Sequence, residues 1–139
     1  MIVLDTNVVS ELMRRKPAPT VIAWLRDQNG AELFTTAISI AEIRYGIARL
    51  PEGSRRTQLA EAADVVFASF PDQVLPFDVA AATAYATVVA ERDRIGAPID
   101  GFDAQIAAIC RARRALLATR NIKDFRETGV ELVDPWQYA

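Results

Sequence analysis

Four acidic residues stand at the openings of chain segments. Asp5 follows Ile2-Val3-Leu4, Glu42 lies in Ser-Ile-Ala-Glu-Ile-Arg-Tyr-Gly, Asp103 in Phe-Asp-Ala-Gln-Ile-Ala-Ala, and Asp124 in Thr-Arg-Asn-Ile-Lys-Asp-Phe. Carboxylates brought together repel one another unless a cation holds them. Oxygen donors select a hard cation, Mg²⁺ or Mn²⁺. Converged acids of this kind predict a metal-dependent phosphodiesterase. The chain contains no histidine, which removes Ser-His-Asp and Cys-His catalysis and histidine-ligated zinc. Proton transfers must therefore fall to carboxylates, hydroxyls or metal-bound water. The single cysteine, Cys110, sits among Ile106, Ala107 and Ile109 and reads as a buried, inert thiol. It permits no intrachain disulfide and suits a reducing cytoplasm.

Each acid also has a local explanation. Asp5 can cap a first helix, with Thr6 and Asn7 placed to orient its carboxylate. Ser39-Ile40-Ala41-Glu42 has the form of a capping box, in which Glu42 reaches back to the Ser39 N–H. Asp103 opens a helix whose inward face carries Ile106, Ala107 and Cys110, at three, four and seven residues on, so it projects on the core side. Asp100 reads as a turn residue before Gly101. Asn121 is placed to cap a short helix with Asp124 in its first turn. Helix N-termini that follow parallel strands point to one place, however, and the dipoles gathered there favour anions.

The elements that must position these residues alternate. Ile2–Leu4, Leu33–Thr36 and residues 73–75, 116–119 and 131–133 read as strands. Helical spacing predicts helices over residues 6–14, around Val21, Trp24 and Leu25, over 40–50, 58–68, 79–94 and 103–113, with Pro17, Pro51 and Gly96 as stops. The pattern predicts one domain over residues 1–139, an α/β fold built as a three-layer α/β/α sandwich with a central, mostly parallel sheet. Such a sheet binds ligands beyond the carboxyl ends of its strands. At 51% apolar and 24% charged residues the composition is that of a soluble globular domain. No apolar stretch approaches the roughly 18 residues that span a bilayer, and no signal segment is visible, so a cytoplasmic protein without membrane contact is expected. The net charge of −2 does not announce nucleic-acid binding. Yet 14 of the 16 basic residues are arginine, clustered at Arg14-Arg15-Lys16, Arg55-Arg56 and Arg111/Arg113/Arg114. These clusters read as solvated helix faces or as phosphate contacts beside the acids.

Asp-Thr-Asn after the first strand, Ala-Glu-Ile-Arg-Tyr-Gly, Asp-Ala-Gln-Ile-Ala-Ala, Thr-Arg-Asn-Ile-Lys-Asp-Phe and the terminal Val-Asp-Pro-Trp together resemble the PIN-domain nucleases. Among these the chain is most similar to the VapC and FitB toxins of bacterial toxin–antitoxin pairs. The resemblance covers essentially the whole chain. It implies a Mg²⁺-dependent endoribonuclease, with Mn²⁺ as a substitute, held inactive by a cognate VapB-like antitoxin whose C-terminal segment lies across the acidic groove. It also implies a homodimer, a larger toxin–antitoxin assembly, and promoter DNA bound only through the antitoxin. The family's acids map onto Asp5, Glu42 and Asp103. Either Asp124 or Asn121, which stands where FitB-like members carry aspartate, completes the catalytic and metal-binding set. Two other readings remain at this point. One is a catalytically weak PIN-like module that binds RNA or antitoxin. The other is aspartyl-phosphate chemistry at Asp5, which ordinarily wants a second aspartate where this chain has Asn7.

Overall fold

The computed structural model describes residues 1–139. Five strands, β1 (Ile2–Leu4), β2 (Leu33–Thr36), β3 (Val74–Leu75), β4 (Leu116–Ala118) and β5 (Leu132–Val133), form one sheet in the order β3-β2-β1-β4-β5. Every pairing is parallel, so the mostly parallel sheet expected from the alternating pattern is parallel throughout. The helices are α1 (Thr6–Leu12), α2 (Pro19–Arg26), α3 (Ala37–Ala48), α4 (Ser54–Ala68), α5 (Val79–Arg94), α6 (Gly101–Arg113) and the single turn α7 (Ile122–Phe125).

Strand residues alternate between two cores because successive side chains leave a strand on opposite faces. Val3 and Leu117, partners across β1 and β4, join Val88, Ile106, Ile109 and Phe125 beneath α5, α6 and α7. Leu4 and Ala118, the next pair in register, join Val8, Val9, Trp24, Ile43 and Val66 beneath α1 to α4. These are the three layers. No helix is long and apolar enough to cross a membrane.

Several helix ends differ from those read in the sequence. α1 stops at Leu12 rather than residue 14, and Glu11 accepts the Ala18 N–H at 2.8 Å across the turn into α2. α4 starts at Ser54, four residues early, behind Gly53 at φ 152°, a conformation open to glycine. α6 opens at Gly101 rather than Asp103, because Asp100 is the cap and its carboxylate accepts the Phe102 N–H at 3.2 Å. Asp103 is thereby placed in the first turn, still at a helix N-terminus.

Strand order decides where a site can form. The chain runs outward from β1 to β2 and β3, then returns to place β4 on the other side of β1. The β1–β4 border is therefore the topological switch point, where open parallel sheets leave a crevice. Asp5 and Thr119 are the first residues past those two strands. Next to them, α7 is anchored by Arg92, which is 7% exposed and donates to the carbonyls of Ala97, Asp124 and Arg126 at 2.6, 2.8 and 3.0 Å. Replacing Arg92 by Met leaves these carbonyls without partners and should cost about 2–4 kcal/mol. Urea unfolding reads this directly, and an unchanged midpoint would contradict the anchoring role.

Candidate metal centre

Asp5 is 3% exposed and caps α1. Its Oδ1 accepts the Thr6 N–H at 2.8 Å, and its Oδ2 accepts the Thr119 hydroxyl at 2.7 Å and the Asn7 amide at 3.4 Å. An ionised carboxylate only accepts, so the Thr119 proton is committed to Asp5. The Thr119 oxygen in turn accepts the Asn121 N–H at 3.0 Å and the Asn7 Nδ2–H at 3.3 Å. The amide oxygen of Asn7 accepts the Arg120 N–H at 3.3 Å, which fixes the orientation of that side chain. The loops after β1 and β4 are thus pinned to each other around one carboxylate. Thr119 opens the Thr-Arg-Asn-Ile-Lys-Asp-Phe motif and ends a predicted strand, but neither signal assigns its hydroxyl a partner.

Glu42 requires a correction. The Ser39 capping box does not form, because α3 begins two residues before Ser39, with Thr36 as its cap accepting the Ser39 N–H at 3.1 Å. Glu42 lies in the second turn, where it has no capping task. Its Oε1 instead accepts the Thr6 hydroxyl at 2.9 Å, and the buried Ser39 hydroxyl stands 2.9 Å from the same Thr6 oxygen. Thr6 therefore links the Asp5 loop to Glu42, which points into the crevice.

Asp5, Glu42, Asp103 and Asn121 line a single cleft of about 500 Å³, together with Thr6, Asn7, Ser10, Glu11, Arg14, Arg120 and Trp136. Asp124 does not line it. Asp124 is exposed, although its charge still raises the pKa of both Asp5 and Asp103. Asn121 caps nothing with its side chain. The two residues left as alternatives are thus separated: Asn121 by contact with the cleft, Asp124 by charge at a distance.

The charges are held at a cost. Burial, and then the charges of Asp5, Asp100, Glu42 and Asp124, lift the Asp103 carboxyl from 3.8 to about 7. Burial also raises Asp5, opposed by the hydrogen bonds from Thr119 and Thr6. Glu42 is raised chiefly by burial, and Thr6 works against the shift. No ion pair of the chain includes any of these acids. The nearest guanidinium groups are engaged elsewhere, Arg14 with Glu11 at 3.3 Å and Arg120 over the Trp136 ring at 4.9 Å. The donor set is all oxygen, which fits a hard divalent cation and no soft one. No three carboxylates stand close enough together to hold one ion among them. Cys110 lies nearby in the core, its thiol pushed up by burial, and takes no part.

Comparison with known proteins agrees with this geometry. The PIN domain family profile matches residues 2–131. The VapC ribonuclease Y4jK of Sinorhizobium fredii is 39% identical over 140 residues, covering 100% of both chains. Toxin FitB of Neisseria gonorrhoeae is 34% identical over 98% of this chain and 99% of its own. The structure of FitAB bound to an IR36 DNA fragment superimposes with a TM-score of 0.90 at 34% identity, covering 100% of this chain and 98% of that one. With its parallel sheet and the crevice at the β1–β4 border, this chain belongs to the PIN domain family.

Proposed function

We propose that the protein is a Mg²⁺-dependent endoribonuclease, with Mn²⁺ able to substitute, and the toxin of a VapBC-like pair inhibited by a cognate antitoxin. One observation carries this reading: Asp5, Glu42 and Asp103 share a cleft, their pKa values are raised, and no cation of the chain answers them. The relatives named ribonuclease and toxin supply the substrate class and the biological setting. Asp5 and Asp103 would hold the ion, with Glu42 and Asn121 reaching its water shell and Asp124 adding charge from outside. When bound, the ion supplies a water of lowered pKa and neutralises charge developing on the scissile phosphate.

The chain's own residues do the rest. Thr119 and the Thr6 N–H hold Asp5 in one orientation and favour its charged form against the burial that raises its pKa. Thr6 engages Oε1 of Glu42 and leaves Oε2 free to accept a proton, a role that no histidine is present to fill. Arg14 and Arg120, which line the cleft, would meet the RNA backbone. The antitoxin would close the cleft by placing a basic side chain among the acids. A homodimer, a larger assembly with antitoxin, and promoter DNA bound through the antitoxin complete the reading. The spread of the carboxylates favours one rival, a PIN-like module that binds RNA or antitoxin without cutting. Calorimetry showing no Mg²⁺ or Mn²⁺ binding at millimolar concentration would select it.

The site residue easiest to test is Asp5. Asp5→Asn preserves shape and removes charge, so circular dichroism should be unchanged while Mg²⁺-dependent cleavage of RNA falls roughly 100-fold or more. Full activity in this variant would remove Asp5 from the centre.

Stability supplies an activity-free test. Folded Asp103 holds its proton up to about pH 7, whereas the unfolded chain releases it near pH 3.8, so between these values the native state binds more protons. Stability of the metal-free protein therefore falls as pH rises through this window, and Asp5 and Glu42 act in the same direction. Thermal unfolding should show a lower Tm at about pH 8 than at about pH 5. Millimolar Mg²⁺ should recover more of the Tm at the higher pH. Asp103→Asn should raise the metal-free Tm at the higher pH and blunt the response to Mg²⁺. A Tm that climbs from the lower to the higher pH without metal would contradict the strain ascribed to these acids.

A further inference from the structure

We propose that Arg120 and Trp136 form a stacking platform for an unpaired nucleobase of the RNA beside the scissile phosphate. This rests on the ribonuclease reading of the cleft and adds to it the kind of RNA that can enter. Among the 11 residues lining the cleft, Trp136 is the single hydrophobic one. A lone indole in an otherwise polar crevice provides an apolar flat surface where water and phosphate have no use for one. The Arg120 guanidinium lies over that ring, 4.9 Å from its centre.

Both partners are held in place. Trp136 lies in a 3₁₀ turn, Pro135–Gln137, whose cap Asp134 accepts the Trp136 N–H at 2.9 Å. Pro135 is buried, the Trp136 ring packs against the core beneath α1 to α4, and the Tyr138 hydroxyl donates to Asp27 at the end of α2. On the other side, the Arg120 N–H is fixed to Asn7, and Arg120 directly follows Thr119, the residue that orients Asp5. The platform is therefore built one residue from the hydrogen bond that orients Asp5. Arg120 makes no ion pair, although Asp5, Glu11, Glu42 and Asp103 line the same cleft. It lies over the indole instead, and its guanidinium N–H groups have no hydrogen-bond partner within the chain.

A guanidinium plane or an indole face takes a base by stacking, and the N–H edge can take a phosphate. A base within an A-form duplex has both faces covered by its neighbours and cannot use such a surface. The platform thus selects loops, bulges or single strands over paired RNA.

The test uses the whole protein and two probes, a 2′-O-methyl RNA hairpin with an unpaired loop and a fully paired 2′-O-methyl duplex of equal length. Trp24 is 4% exposed, so quenching of indole fluorescence by RNA reports on Trp136. The hairpin should quench and the duplex should not. With unmodified loop RNA and Mg²⁺, Arg120→Gln and Trp136→Leu should each lose about 10–100-fold in kcat/KM, and Trp136→Phe should recover most of the loss. An abasic nucleotide next to the cleaved bond should cost wild type a similar factor and cost the Trp136→Leu variant little more, because the two changes remove one contact. Equal quenching by the duplex, wild-type rates in the variants, or a full abasic penalty in Trp136→Leu would each overturn the platform. So would variants that keep RNA affinity and lose only affinity for the antitoxin, which would mark the pair as a protein-binding surface. Hairpin quenching in a protein that cleaves no RNA would instead overturn the ribonuclease reading and leave the platform standing.

Discussion

Negative charge that the chain itself does not neutralise is the constraint on which this structure turns. Asp5 is buried at the carboxyl end of the central strand, Glu42 and Asp103 face the same cleft, and none of them pairs with a cation. A protein optimised for stability alone would not keep such a group of like charges. The cost is reduced in two ways. Asp5 and Asp103 sit at the N-termini of α1 and α6, where the peptide dipoles favour anions. Asp5 also receives the Thr119 hydroxyl and the Thr6 N–H, which favour its charged form. Neither device cancels the strain, and Asp103, with its carboxyl held up at about 7, bears most of what remains.

The sheet is what makes this gathering possible. An all-parallel order of β3-β2-β1-β4-β5 sends each crossover back to the same edge and opens a crevice between β1 and β4. The hydrogen bond from Thr119 to Asp5 closes that border at a separation of 114 residues. Around the rim, basic groups are kept from collapsing onto the acids. Arg14 is held by the buried Glu11, and Arg120 rests on Trp136. The cleft thus holds acids beside arginines that do not pair with Asp5, Glu42 or Asp103.

Much of this was legible in the chain. Asp5 follows an apolar triplet, and Asp103 shares a helix face with Ile106, Ala107 and Cys110; both patterns are local and both led to the cleft. The local capping-box reading of Glu42 failed for a reason of the same kind. Ser39 and Glu42 have capping-box spacing, but the sheet fixes where β2 ends, so Thr36 takes the cap two residues sooner and Glu42 is left free to face the site. Thr119 and Arg92 could not be found by pattern. A threonine at a strand end and an arginine in a charged helix are ordinary residues locally, and their partners are distant in sequence. The choice between Asn121 and Asp124 likewise needed the three-dimensional path of the loop after β4, which brings Asn121 into the cleft and leaves Asp124 outside.

A cation site at these carboxylates is the core of the proposed function. The most direct measurement is anomalous diffraction from crystals soaked in Mn²⁺, recorded at a wavelength where manganese scatters anomalously. One dominant peak is expected in the cleft between Asp5 and Asp103, bonded to both, with water bridging to Glu42 or Asn121. A cleft without anomalous density at millimolar Mn²⁺, or an ion held only by acids elsewhere on the surface, would contradict it.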